Sequence, residues 1–300
     1  MRIAVTTPTG HIGSQLCRCL LEAGQNLVLL ARDQSKVQDF QQHGAQVKQG
    51  SLDDAAFVTQ ATAGCDALFW LSPHDMKSND PRGFDNRCGK AAAAAIRANR
   101  IPRVVNISSV GAQLDRGTGP ISGLHDVEQV LDAACQNVTH LRPGFFFENF
   151  LWQVKSMQES SSIFMPVDGS IPLPMIATKD IAAAACKVLQ DQSWQGRQVR
   201  GLHGPADLTL NEAAKQISRG AGQNIRYVKV SDDQARKAMQ AMGMSNAAID
   251  WLLEMYRSFN SGLCRPAEPR TSETTTPTTL EQFARQVIAP MLARQQAAAG

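Results

Sequence analysis

Met1-Arg-Ile-Ala-Val-Thr-Thr7-Pro8-Thr9-Gly10-His11-Ile12-Gly13-Ser14 runs a short apolar segment directly into a turn holding two glycines, and an amphipathic helical stretch follows at once. Glycine is needed where backbone turns tightly or comes close to a ligand, and the free N–H groups and positive end of a helix attract phosphate. The order strand, glycine turn, helix therefore predicts a dinucleotide site, with Thr7, Thr9, Gly10, His11, Ile12 and Gly13 around the pyrophosphate. The three-glycine form of such a turn would place its first glycine near Thr7, so the surrounding sequence has to carry part of the reading.

The next apolar segment, 27–31, ends at Arg32, 19 positions beyond Gly13. An acid at that point accepts hydrogen bonds from the adenosine ribose 2′-OH, whereas an arginine suits a 2′-phosphate. The sequence thus points to NADP(H) in preference to NAD(H), with Lys36 as a second positive charge.

Further strand-like runs at 45–49, 67–71, 103–107 and 138–141 alternate with helical stretches at 12–23, 35–43, 53–61, 87–99 and 123–134. Repeated βα units with continuous apolar strands predict an α/β fold with a doubly wound parallel sheet, helices on both faces and strand order 3-2-1-4-5-6. Ligands in such sheets sit at the carboxyl ends of the strands, so the loops after Thr6, Ala31, Leu71 and Ile107 are expected to form the cleft. Beyond residue 144 the alternation is lost. The expected organisation is a dinucleotide-binding domain over 1–150, completed by a helix and returning strand within 176–202, and a smaller α/β lobe for substrate or partner from 151–175 and 203–300. Capping boxes at Thr209/Glu212, Ser231/Gln234 and Thr279/Gln282 mark helix starts in that lobe. In the last of these helices Leu280, Phe283, Ala284, Val287, Ile288 and Met291 share one apolar face. The segment 265–279 reads as an extended surface link and 295–300 as a frayed tail.

The 300 residues carry 30 basic and 27 acidic side chains, a formal charge of +3, with no long basic run. Electrostatics therefore give no support to nucleic-acid binding. No apolar run approaches the ~18 residues needed to span a bilayer, and a first strand at residue 2 leaves no room for a leader. The seven cysteines show no metal-ligand spacing, and their scatter reads as reduced thiols in a cytoplasmic protein.

Thr6-Thr-Pro-Thr-Gly-His-Ile-Gly13, Arg32, Gly50-Ser-Leu-Asp53, Asn106-Ile-Ser-Ser-Val-Gly111, His125-Asp-Val-Glu128 and Leu141-Arg-Pro-Gly-Phe-Phe-Phe-Glu-Asn149 together resemble the NmrA-like family, an atypical branch of the short-chain dehydrogenase/reductase superfamily. The resemblance covers most of the chain. It implies a Rossmann domain with a smaller C-terminal lobe, a cleft between them, and NADP(H) or NAD(H) as ligand. It also implies one of two roles: reduction of quinones or azo compounds, or sensing of the cofactor's redox state on behalf of a regulated protein partner. Thr7 and Pro8 depart from the pattern, where many relatives have Gly-Ala, and so does Ser51, where an acid is common. Leu52, Asp53, Leu71, Ser72, Pro73, Ser108 and Phe145 complete the expected cofactor contacts.

Short-chain reductases of the usual type use a tyrosine with a lysine four residues later. Here the only tyrosines are Tyr227 and Tyr256, followed at that spacing by Ser231 and Asn260. Hydride transfer to a quinone or azo acceptor requires no such dyad, because the cofactor carries the difficult step. His125 and Ser109 are the candidate catalytic residues; Phe146, Asn149 and Trp152 are the candidate contacts to a small aromatic substrate. His74, next to Pro73, is expected beside the adenosine or pyrophosphate.

Overall fold

Residues 1–296 are described by a computed structural model. In the first half β1 (Arg2–Thr6), α1 (His11–Glu22), β2 (Asn26–Ala31), α2 (Gln38–Gln42), β3 (Gln46–Gln49), α3 (Ala55–Ala61), β4 (Ala67–Leu71), α4 (Pro81–Asn99), β5 (Val104–Ile107), α5 (Pro120–Asp132) and β6 (Val138–Pro143) follow in turn. Then come β7 (Phe145–Phe146), α6 (Val154–Ser160), β8 (Ser162–Met165), β9 (Leu173–Ile176), α7 (Thr178–Gln190), β10 (Arg197–Leu202), β11 (Asp207–Leu208), α8 (Leu210–Ala221), β12 (Arg226–Lys229), α9 (Asp232–Ala241), α10 (Asn246–Ser261), α11 (Leu280–Phe283) and α12 (Ala289–Gln296).

The main sheet is fully parallel in the order β3-β2-β1-β4-β5-β6-β10, so the expected doubly wound core gains a seventh strand beyond β6. Alternation along β1 shows how the two faces are filled. Ile3 and Val5 pack with Leu16 and Leu20 of α1 and with Ile181 and Ala185 of α7. Ala4 faces the opposite way, into a core with Trp70, Ala92, Ile96 and Val127 from β4, α4 and α5. Burial on both faces explains why the central strands β2 and β4 read as apolar runs, while the edge strands β3 and β10 are more polar and largely exposed.

The smaller lobe has its own core, in which Phe147, Phe150, Met157, Ile163, Ile217, Phe283 and Leu292 meet. β8 pairs in parallel with β12, and β9 is flanked by β7 and β11. All three capping boxes form, at Thr209, Ser231 and Thr279.

Several expectations change. α4 begins at Pro81 rather than near residue 87, because Asp80 caps the Gly83 amide at 2.9 Å and proline is well suited to a first helical turn. The stretch 35–43 divides into a 3₁₀ turn over Gln34–Val37 and the short α2. In the last helix a π-turn over Ala284–Ile288 precedes Pro290, which lacks the N–H that would bond back to residue 286. The extra residue rotates the end of the helix, so Leu292 is fully buried while Met291 is exposed. Of the tail expected over 295–300, Gln295 and Gln296 lie in α12 and 297–300 fall outside the described residues.

The cysteines are not all free thiols either. Cys19 and Cys186 form a disulfide, because the packing of α1 on α7 brings their Cα atoms to 6.4 Å across a sequence separation of 167. Cys17, Cys65, Cys88, Cys135 and Cys264 are free and buried. Among the described residues no helix is long and apolar enough to cross a membrane.

The segment 265–279 is clamped rather than loose. Buried Arg142, near the end of β6, donates to Glu128 at 2.6 and 2.9 Å and to Glu268 at 2.9 Å. Arg270 reaches the carbonyls of His203 and Gly204, and Thr278 donates its amide and hydroxyl to Asp180 of α7. Thr276 and Thr278 are accordingly buried. Removing one member of a buried ion pair strands the other charge, at a cost of about 3–5 kcal/mol. Arg142→Met is expected to lower unfolding stability by that amount in urea titration at neutral pH; a change below about 1 kcal/mol would show that the clamp is dispensable.

Candidate functional site

The turn after β1 is built on two close approaches. Thr7 sits in the left-handed region at φ 49°, where the missing glycine would stand, and its carbonyl accepts the Gly10 amide at 3.1 Å. A Cβ on Gly13 would lie 2.1 Å from that same carbonyl, so only glycine lets α1 dock against the turn. No side chain caps α1, and the first-turn amides His11, Ile12 and Gly13 precede the first residues able to bond within the helix. The Thr7 hydroxyl is buried with no hydrogen-bond partner among the described residues. An uncapped helix start, a glycine cradle and an orphaned hydroxyl at one turn fit a pyrophosphate.

Three hollows lie along the strand ends, the first at this turn and the third reaching His11 and Ile12 at the start of α1. The first, about 200 Å³, is bounded by Thr7, Pro8, Thr9, Gly10, Ala31, Arg32, Asp33, Lys36, Leu52, Pro73 and Phe84. It matches an adenosine ribose end. Arg32 is exposed there, and among the described residues its guanidinium makes no ion pair. Lys36 lies 3.8 Å from Asp33. The Asp33 carboxylate in turn accepts the Ser35 amide and hydroxyl at 3.0 and 2.6 Å, which holds its pKa below the usual range. Asp53 instead accepts a hydrogen bond from Ser51 and does not line the hollow.

The second hollow, about 270 Å³, lies over the ends of β4, β5 and β6. Leu71, Ser72, Ser108, Ser109, Phe145, Phe146 and Asn149 all line it, together with His74. Its far wall was not legible: Leu252, Met255 and Phe259 come from α10, and Cys264 follows that helix. The N-cap at Ser245 is the signal that marks α10, with Ser245 Oγ accepting the Ala248 amide at 3.1 Å. Burial pushes the Cys264 thiol up to about 12, so it is a neutral part of an apolar wall.

Few polar groups in this chamber are unengaged. The Ser72 hydroxyl accepts the Trp70 indole N–H at 2.9 Å, and Ser109 donates to the Val110 carbonyl at 3.1 Å. Ser108 is 2% exposed, and its hydroxyl has no partner among the described residues. His74 also stands here rather than beside the adenosine, with Nδ1 2.8 Å from the carboxylate of fully buried Asp85. Burial pulls the His74 imidazole down, yet the Asp85 charge and hydrogen bond outweigh it and hold the ring above its ordinary value.

His125 does not join them. Its Nδ1 lies 2.8 Å from the Ala112 carbonyl, and it lines none of the three hollows. The reason is helical phase: Ile121 and Leu124 face the chamber, so the next position turns away. The third hollow, about 400 Å³, shares Leu71, Phe146 and Asn149 with the chamber and adds His11, Ile12, Glu148, Thr178 and Trp152. Trp152 is 72% exposed at its rim. Burial raises the pKa of Glu148, whose carboxylate accepts the Thr178 amide at 3.0 Å and its hydroxyl at 2.5 Å.

Both tyrosines are structural. The Tyr227 hydroxyl donates to the carbonyls of Val167 and Met165 at 2.5 and 2.9 Å, and burial pushes Tyr256 up to about 12. Neither lines the chamber.

A doubly wound parallel sheet with a phosphate-type turn after β1 and hollows over its strand ends defines an α/β protein of the dinucleotide-binding class. The sequence model of the NmrA-like family matches residues 1–284, and the chain belongs to that family. It is 29% identical over 254 residues to an NAD(P)H azoreductase of Xenophilus azovorans, covering 85% of this chain and 86% of the relative. It is 25% identical over 258 residues to quinone oxidoreductase 2 of Escherichia coli strain K12, covering 84% and 86%. The solved structure of an NADPH-dependent quinone oxidoreductase from Escherichia coli, complexed with NADPH, superposes with a TM-score of 0.77 at 22% identity, covering 95% of this chain and 99% of that one.

The turn makes opposite predictions for its two ends. A non-glycine residue in the left-handed region costs about 1–2 kcal/mol, so Thr7→Gly is expected to hold or raise the urea midpoint. Gly13→Ala forces a clash with backbone and is expected to lose about 1–3 kcal/mol. Equal effects of the two substitutions would contradict this geometry.

Proposed function

We propose that the protein is an NADPH-dependent oxidoreductase that reduces quinone-like, azo or related conjugated acceptors without a tyrosine–lysine dyad. The observation that carries this reading is the chamber over β4–β6: it is largely apolar, and it shares Leu71, Phe146 and Asn149 with the third hollow, which reaches His11 and Ile12 at the start of α1. A flat conjugated acceptor suits walls of Phe145, Phe146, Leu173 and Met255. A pure sensor would need no such space beside the nicotinamide. The azoreductase and quinone oxidoreductase names of the relatives agree with the chemistry.

In this reading the first-turn amides of α1, with Thr7 and Thr9, hold the pyrophosphate. Arg32 binds the ribose 2′-phosphate, and with no carboxylate partner among the described residues its charge is available to a ligand. Lys36 contributes a weaker charge, tempered by Asp33. Leu71, Pro73 and Ser108 border the dinucleotide along the strand ends, and Phe145 and Phe146 wall the nicotinamide side. When bound, the cofactor supplies a hydride at its nicotinamide ring. The protein's part is to place the acceptor in the apolar chamber against it, with Asn149 where the chamber meets the third hollow and Trp152 at the rim of that hollow.

Charged hydrogen bonds to a phosphate contribute about 1.5–3 kcal/mol, roughly 10- to 100-fold in affinity. Arg32→Asp is expected to weaken NADPH binding by at least that factor, with NADH binding changed by less than about threefold, measured by titrating cofactor fluorescence. Equal losses for both would remove Arg32 from the 2′-phosphate role. Turnover of a panel of quinones and azo dyes by the NADPH-saturated protein tests the activity itself. Intact NADPH binding with no turnover of any acceptor would favour a sensor that acts through a protein partner.

A further inference from the structure

The chamber holds one group that the hydride chemistry leaves unassigned. His74 follows β4, stands 27% exposed on the chamber wall, and has its Nδ1 2.8 Å from Asp85 Oδ2. Asp85 is fully buried on α4, and its other carboxylate oxygen has no partner among the described residues. Among the described residues the carboxylate therefore hydrogen-bonds only the imidazole. The ring packs edge-on against Trp251 of α10, with centroids 5.6 Å apart and planes at 89°. Gly123 of α5 makes room for both supports: a Cβ there would lie 3.0 Å from Asp85 Oδ2 and 3.1 Å from the Trp251 ring. Three helices thus fix one imidazole at the edge of an apolar cavity, with Nδ1 engaged and Nε2 left as its working nitrogen.

We propose that His74, oriented by Asp85, is the proton donor of the reductive reaction: its Nε2–H protonates the oxygen or nitrogen of the acceptor that becomes anionic when hydride arrives. The proposal rests on the oxidoreductase reading above. For a quinone the hydride brings two electrons and leaves a hydroquinone monoanion. The Nε2–H bond then breaks, an O–H bond forms, and the imidazolium becomes a neutral imidazole that regains its proton from water. For an azo acceptor the bond formed is N–H and the product is the hydrazo compound. Each reaction consumes one NADPH and one proton.

The chamber offers His74 little competition for this role. The nearby Ser109 hydroxyl is committed to a carbonyl, Cys264 is held neutral, and both tyrosines lie elsewhere. Of the elements around the ring, α4 presents Asp85, α10 the uncharged Trp251, and the loop after β5 the uncharged Ser108. Asp85 favours the protonated ring, so the donor form persists to higher pH than for a free histidine. Activity is then expected to fall as pH rises through the His74 pKa, and Asp85→Asn is expected to move that fall to lower pH.

The test compares wild type, His74→Gln and Asp85→Asn at saturating NADPH. One acceptor is a quinone and the other a cationic triphenylmethane dye, whose reduction to the neutral leuco form takes hydride and no proton. NADPH affinity by fluorescence titration, melting temperature, and the His74 imidazole titration by NMR are recorded alongside. The expected result is a fall in quinone kcat of roughly 100-fold in His74→Gln, with the alkaline limb of the wild-type profile gone, NADPH affinity unchanged, and the dye rate within about threefold of wild type. In Asp85→Asn the NMR titration of His74 moves down, and the alkaline limb of quinone kcat moves with it. Quinone turnover in His74→Gln with unaltered kcat and pH profile would overturn the proposal and leave the oxidoreductase reading standing. Equal losses with quinone and dye would also overturn it, because the residue would then serve geometry rather than proton delivery. A wild-type protein that binds NADPH and reduces neither acceptor would overturn both.

Discussion

The Cα of Gly13 packs against the carbonyl of Thr7, and the rest of the site depends on that contact. A Cβ at residue 13 would fall 2.1 Å from the Thr7 oxygen. Without it α1 docks directly on the end of β1, its uncapped start aimed along the strand ends, and the turn is tight enough to put Thr7 at positive φ. The same docking sets α1 against α7, where the Cys19–Cys186 disulfide joins the two helices. Thr7 keeps a side chain where glycine would be free of strain, and its buried hydroxyl has no hydrogen-bond partner among the described residues. Strain of this kind, held in place by surrounding structure, is common where backbone meets ligand.

From that turn the site divides by chemistry. Toward β2 and β3 it is exposed and basic, with Arg32 making no ion pair among the described residues. Toward β5 and β6 it is apolar, with the carboxyl ends of the strands as floor and α10 of the smaller lobe as far wall. Such a division suits a ligand that is anionic at one end and planar and reactive at the other. It also explains how a family member without the tyrosine–lysine pair remains a competent scaffold. Hydride transfer needs approach and exclusion of water, which apolar walls provide, and proton delivery can be met by a histidine whose orientation is fixed from behind.

The centre of the parallel sheet was legible because buried strands must be continuously apolar, as 27–31 and 67–71 are, whereas the largely exposed edge strand Gln46–Gln49 was marked by its place in the alternation with helices. The capping boxes at Thr209, Ser231 and Thr279 were equally legible, since each is a local contract between two side chains and two amides. What stayed hidden depends on distance along the chain. The pairing of Cys19 with Cys186, the clamp of Arg142 on Glu268, and the wall made by Leu252, Met255 and Phe259 join segments far apart in sequence. Helical phase hid the rest. His125 was placed in the right helix, but one residue past Leu124 turned it toward Ala112. His74 was placed in the right loop, but only the burial of Asp85 eleven residues on shows which hollow it serves.

The most direct test of the account is a crystal structure of the protein with NADP+. The 2′-phosphate is expected against the Arg32 guanidinium, the pyrophosphate on the first-turn amides of α1, and the nicotinamide ring opening onto the chamber that holds His74 and Ser108. A dinucleotide bound with its nicotinamide outside that chamber, or with its 2′-phosphate away from Arg32, would contradict it.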